Sequence, residues 1–243
     1  MRLNPQTLPS NDNISRFAFC MDVNGEAIVR RGKMVAGYGN LRYEAMGSSL
    51  LSAATSMSFN APSYRADFMA VTGQGKLILG DNGNDIASYN VENATFTLKA
   101  DHVLAYHNTL KCQESTLQGY VTLIGTGQLI ASSNGPVIFL EPPARVDPDA
   151  VLGWADMPSP SYRYDYAYAR TLLGIAGTLA GLTTSGEEKQ LDFYGQGTIL
   201  VQSGEEPLAG RSDLQSVLAG VSGLHQNELM QVSQAIAARL SGR

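Results

Sequence analysis

With 243 residues and 44% hydrophobic side chains, the chain has the material for one large β domain or two small ones, and its composition is that of neither a disordered nor a membrane-spanning protein. Its formal charge is −5, and its densest basic run is only Arg30, Arg31 and Lys33. That excludes DNA and argues against RNA, since lysine and arginine must displace the counterions of a phosphate backbone.

The first sixteen residues contain no apolar core segment, so they read as an N-terminal extension and not as a secretory signal. From residue 17 to residue 203 the pattern is that of strands. Short runs rich in Val, Ile, Thr, Tyr and Phe alternate with many of the 25 glycines, and no amphipathic helix interrupts them. A strand-turn-strand element recurs three times. An apolar residue is followed, across a tight turn, by a second apolar residue and then a small one. The copies are Val29, Met34 and Ala36 around Arg31-Gly32-Lys33; Leu98, Val103 and Ala105 around Ala100-Asp101-His102; and Val146, Val151 and Gly153 around Asp147-Pro148-Asp149. A G-x-G element also recurs, each time leading into a β run: Gly73 and Gly75, Gly125 and Gly127, Gly195 and Gly197. A dinucleotide fingerprint needs a third glycine and a following helix, and neither is present, so these glycines mark bulges or close backbone approach. Units repeated in this way tend to cover their edges by arranging themselves about a pseudo-symmetry axis.

Further along, Tyr162, Tyr164, Tyr166 and Tyr168 alternate with other residues, so a strand would place all four on one face. Such a stripe is either a packing face or an interface, and tyrosine enrichment where proteins bind favours the interface. The run Thr171 to Leu182 is uncharged and apolar but too short for a membrane helix, and reads as two buried strands pivoting on glycine. After Gly204 the spacing becomes helical: Leu214, Val217, Leu218 and Val221, then Leu229, Val232, Ile236 and Leu240. The expected organisation is thus an extension (1–16), a repeated β domain (17–203) and a short helical tail (204–243).

Chemistry-bearing residues are sparse. His102 and His107 are five apart and would face opposite sides of one continuous strand; His225 lies in the tail. No Cys or His pair has metal-ligand spacing. Asp147 and Asp149 flank Pro148 as turn residues do. No nucleophile elbow is present, and neither cysteine, Cys20 nor Cys112, stands near an orienting histidine. The two thiols read as reduced, buried small hydrophobes of a reducing compartment, and the protein as cytoplasmic. No catalytic, cofactor or metal residue is assigned.

The run Phe193-Tyr194-Gly195-Gln196-Gly197-Thr198-Ile199-Leu200-Val201-Gln202-Ser203, the stretch from Gly25-Glu26 to Gly32-Lys33-Met34, and Arg145-Val146-Asp147-Pro148 before Ala150-Val151 together resemble the altered-inheritance-of-mitochondria (number twenty-four) family. The resemblance spans residues 17 to 203. It implies a β fold like that of the tryptophan RNA-binding attenuation protein, with the unit repeated about a pseudo-threefold axis. RNA binding and membrane-associated organisation follow only by analogy with the family and its fold. The second copy departs from the pattern, with Val91-Glu92-Asn93-Ala94 where the first has Asn24-Gly25-Glu26, so three equivalent ligand sites are not expected.

The expected fold is therefore all-β, three pseudo-repeated antiparallel units of the double-stranded β-helix or sandwich type. Charged residues are only 16%, against roughly 25% in an average soluble domain, which invites association. The expected function is that of a non-enzymatic, self-associating interaction or scaffold protein with an unidentified protein partner. The alternative is a small-ligand-binding β module with a pocket between repeats lined by Tyr and Asn.

Overall fold

The computed structural model describes residues 7–46, 59–156, 158–164 and 189–205. These residues are almost entirely β. In chain order the strands are β1 (Asp12–Ser15), β2 (Ala18–Arg30), β3 (Met34–Ala45), β4 (Phe59–Asn60), β5 (Phe68–Gly80), β6 (Asp85–Lys99), β7 (Val103–His107), β8 (Leu110–Glu114), β9 (Tyr120–Ser133), β10 (Val137–Leu140), β11 (Ala144–Val146), β12 (Val151–Ala155), β13 (Ser159–Tyr164), β14 (Lys189–Tyr194) and β15 (Thr198–Gln202). Two short 3₁₀ turns, Pro62–Asp67 and Ala100–His102, complete the described elements. The run 171–182, Tyr166, Tyr168 and the helical tail from residue 206 onward lie outside the described residues.

The chain divides into two compact units. The larger holds one sheet with the order β10-β15-β12-β6-β9-β7-β2-β5-β3; β1 adds to β2, β8 to β9, and β4 to β8. All its pairings are antiparallel except β4 with β8. The smaller unit contains the three-stranded sheet β11-β14-β13.

β2 and β5 bury both faces toward their ends. On β2, Phe19, Met21, Val23, Ala27 and Val29 alternate into one apolar cluster with Val71, Leu77 and Leu79 of β5. The residues between them go elsewhere. Cys20 joins Leu8 and Ile78, while Ile28 joins a larger cluster with Phe68, Tyr106 and Leu123. This explains why Phe19-Cys20-Met21 and Ala27-Ile28-Val29 are unbroken apolar runs at the two ends of β2, with its polar residues, the terminal Arg30 apart, confined to the middle. Each fully buried side chain of this size contributes roughly 1.5–3 kcal/mol over leaving it in water.

Three strand pairs share an irregularity. The register slips between Met34 and Ala36 where β3 pairs β5, between Val103 and Ala105 where β7 pairs β9, and between Val151 and Gly153 where β12 pairs β15. These are the apolar and small residues that recur in the sequence. An extra residue on one strand leaves a bulge and sharpens the local twist. The departure of the second copy is also visible. The β2·β5 ladder runs unbroken through thirteen pairs with Gly25 opposite Gly73, whereas the β6·β9 ladder slips between Val91 and Ala94. Asn93 adopts a positive φ of 49° there, and its N–H is held by Thr126 Oγ1 at 2.9 Å. Asparagine tolerates the left-handed region that glycine serves elsewhere.

Candidate functional site

A polar concavity lies where the ends of β2 and β6 turn over. It encloses about 260 Å³ and is lined by Arg30, Lys33, Asp81, Asn82, Asn84, Asp101 and His102. Three segments build it. The turn between β2 and β3 supplies Lys33, the turn between β5 and β6 supplies Asp81 to Asn84, and the 3₁₀ turn before β7 supplies Asp101 and His102. Asn82 sits at a positive φ of 50°, and the Asn84 N–H closes the turn onto the Asp81 carbonyl at 2.7 Å. That Asx-rich turn aims the Asp81 side chain inward.

Asp81 is buried and has many donors. Lys33 Nζ donates to its Oδ1, Ser132 Oγ donates to its Oδ2 at 2.5 Å, and the Asn82 amide lies 3.5 Å from Oδ1. Burial disfavours its charged form, but the bonds from Lys33 and Ser132 and the lysine charge outweigh this and hold the carboxyl below its ordinary value. Ser132, itself fully buried, also lies 3.4 Å from His102 Nδ1. In a nucleophilic triad the histidine stands between serine and carboxylate. Here the serine stands between the other two and its proton is committed to Asp81, so this arrangement is not a hydrolytic triad.

Arg30 forms the other wall. Its Nη1 donates to the Ala100 carbonyl at 2.8 Å and its Nη2 to Asp101 Oδ1 at 2.6 Å, with the Phe68 ring 5.6 Å from the guanidinium carbon. Lys99, at the same terminal position of β6 that Arg30 holds in β2, donates to the Asp149 carbonyl at 2.7 Å. In both places a cation at a strand end satisfies a turn carbonyl further along the chain, which stabilises the turn.

The recurring glycines occupy close approaches. A Cβ at Gly73, where φ is +125°, would come within 2.0 Å of the Asn40 carbonyl oxygen, and one at Gly75 within 2.0 Å of the Tyr38 carbonyl oxygen. Gly125 and Gly127 lie against Thr109 of the β7–β8 turn and Leu110 at the start of β8. Gly197 lies against Ala155 and Asp156, and Gly195 faces open space. None of them lines the polar cavity. His102 and His107 do not share one continuous strand, because the 3₁₀ turn Ala100–His102 ends before β7 begins. His107 is half-buried, and burial lowers its pKa. Cys20 and Cys112 are both buried thiols in separate apolar clusters, and burial pushes Cys112 up to about 12.

Of the tyrosine stripe, Tyr162 and Tyr164 fall on β13. Tyr162 is opposite Leu191 and shares its face of the small sheet, and the Lys189 ammonium lies 5.7 Å from its ring centre. The other face carries Arg145, paired through Nε to Asp192 at 2.7 Å, and Tyr194, whose hydroxyl donates to Asp192 at 3.3 Å. The Arg145 bond, with smaller help from Arg145 and Arg163 charge, holds Asp192 below the usual carboxylate range.

Among the described residues, the two outermost strands of the large sheet carry exposed apolar side chains, of which only Met34 figures in the sequence pattern. Val35 is 68% exposed, with Met34 and Tyr43 also exposed on β3, and Ile138 and Phe139 are 53% and 59% exposed on β10. Phe17, 49% exposed, is near Val35 across Gly80, where a Cβ would meet Val35 Cγ2 at 2.8 Å. Asp81 of the cavity and Ser132 behind it also escape sequence reasoning; the basic run at 30–33, which includes Arg30 and Lys33, is the one signal pointing toward them.

Residues 18–204 match the family described as mitochondrial biogenesis AIM24. No curated protein matches the chain. Among solved structures, a protein of Streptococcus pyogenes determined by X-ray crystallography is 20% identical, with 86% of this chain and 95% of that one covered and a TM-score of 0.57. That likeness concerns the fold alone.

Proposed function

The chain belongs to the mitochondrial biogenesis AIM24 family, and we propose that this member is a non-enzymatic, self-associating interaction protein. The observation that carries the reading is the pair of apolar sheet edges. β3 is twelve residues long, contains no Lys or Pro, and exposes Met34, Val35 and Tyr43; β10 at the opposite end exposes Ile138 and Phe139. A long outer strand is normally blunted by charge or proline, and β3 has only Arg42 and Glu44 near its end; β10 is short, and there the exposed apolar side chains themselves mark a place where proteins meet. Two different edges joined head to tail make a heterologous contact, which closes into a ring or extends.

The same reading takes the three slipped strand pairs as copies of one unit about a pseudo-threefold axis, which the bulges at Met34/Ala36, Val103/Ala105 and Val151/Gly153 support. It places the protein in the cytoplasm, supported by two thiols kept in separate apolar clusters.

Light scattering on the full chain tests the reading. The expected mass is a multiple of the monomer that falls when Val35→Asp and Phe139→Asp are introduced, while the fluorescence of Trp154 stays native. A wild-type protein that remains monomeric from micromolar concentrations upward refutes it.

A further inference from the structure

Independently of self-association, we infer that the polar cavity bounded by Arg30, Lys33, Asn82 and Asn84 is a binding site for a small oxyanion of the phosphate class. Asp81 is the buried acceptor in the wall, and its acceptor sites are taken: Lys33, Ser132, Asn82 and Asn84 all donate to it. A carboxylate offers about four lone-pair positions, so Asp81 has none to spare for a ligand. The donors, by contrast, are underused. Lys33 has three N–H protons and spends one on Asp81; Arg30 has five and spends two in hydrogen bonds, on Ala100 and Asp101, with Asp67 Oδ2 a longer ion-pair partner 3.7 Å from its Nη2. The two cations are matched in charge by Asp81 and Asp101, but their unspent N–H donors beside a saturated buried acceptor suit an acceptor-rich anion.

Asp101 strengthens the assignment. Its carboxylate is 61% exposed, sits at the tip of the 3₁₀ turn and lies on Arg30 Nη2 at 2.6 Å, whereas the Arg30 side chain is only 13% exposed. It thus occupies, from solvent, a position on the guanidinium that an oxyanion of a ligand would take. The carboxylate is held from the solvent side only, so an anion that reaches the guanidinium competes with it directly. Arg30 itself is fixed from behind by the Ala100 carbonyl and the Phe68 ring, so its guanidinium is pre-organised whichever anion it meets. The enclosed volume of about 260 Å³ accommodates a phosphate with an attached ester carbon. The oxyanion is therefore either free phosphate or the head of a phosphomonoester.

Isothermal titration of the full chain at low salt, with inorganic phosphate in one arm and glycerol 3-phosphate in the other, tests the site. Both wild type and Asp101→Asn should bind, and the probe bound more tightly identifies the source of the oxyanion. Removing the resident carboxylate should tighten binding by about three- to tenfold, the span expected for a half-exposed charge pair and its repulsion of the ligand. Lys33→Gln should weaken binding at least as much. A gain of affinity in Asp101→Asn cannot arise from misfolding, so that variant keeps the test decisive if Lys33→Gln fails to fold. Absence of binding by both probes in both wild type and Asp101→Asn overturns the proposal, and so does an Asp101→Asn protein that binds no tighter than wild type.

Discussion

Gly25 and Gly73 face each other across the β2·β5 ladder, and replacing each by alanine separates two costs that glycine positions usually mix. Both have positive φ, +105° and +125°, so an alanine at either carries backbone strain of about 1–3 kcal/mol. Both substitutions also remove similar freedom from the unfolded chain, which offsets about 0.4–1 kcal/mol in each case and cancels in the comparison. The difference lies in space. A Cβ at Gly25 meets nothing within 4 Å, whereas one at Gly73 meets the Asn40 carbonyl oxygen at 2.0 Å and the Asn40 carbonyl carbon at 3.1 Å. The obstacle is backbone, so no rotamer relieves it, and β3 must move away from β5. Overpacking of that kind costs about 1–3 kcal/mol. Each ladder bond strained by the movement adds about 0.5–1.5 kcal/mol. Gly73→Ala should therefore destabilise by about 2–4 kcal/mol more than Gly25→Ala. Trp154 is the chain's one tryptophan, is buried, and lies 5.0 Å from the Tyr120 ring, so its fluorescence during urea unfolding reports on the same sheet. Equal shifts in midpoint for the two variants would refute the close-approach argument and leave only backbone strain.

Two further outcomes follow from the buried ionisable groups. Because the folded state holds Asp81 below its ordinary value of 3.8, its contribution to stability is fully present above that value and is lost as pH falls through the lower, folded one. Asp81→Asn should lower stability at neutral pH by about 1–3 kcal/mol and flatten the acid loss, read as unfolding midpoints from pH 7 downward; an unchanged acid profile would remove Asp81 from the account. Burial raises both thiols, Cys112 to about 12, so neither should react with a thiol reagent at pH 8 until urea unfolds the chain; labelling of Cys112 at the rate of a free thiol under native conditions would contradict its placement.

Local physics made much of the β architecture readable. Arg31-Gly32-Lys33 and Asp147-Pro148-Asp149 are turn-formers whose conformational preferences are properties of a few adjacent residues, and both join strands as expected. The recurrence of a small residue two positions after Met34, Val103 and Val151 coincides with a register slip in every case. Val91-Glu92-Asn93-Ala94 showed its irregularity in sequence before the ladder showed it in space. The histidines were less legible, since five-residue spacing says nothing about a 3₁₀ turn that ends between them.

By itself the sequence determined the strand content, the turns joining the strands and the glycines needed where backbones converge, because each depends on neighbours within a few positions. Only the tertiary structure decided which strands became edges, so that Val35 and Phe139 are exposed while chemically similar Leu79 and Phe68 are buried. It also decided that Lys33 would meet Asp81 and that Asp81 would meet Ser132, 48 and 51 residues apart along the chain. Strand order is a long-range property: an apolar β run has the same local pattern at the centre of a sheet as at its rim, and a donor carries no mark of the distant acceptor it will find.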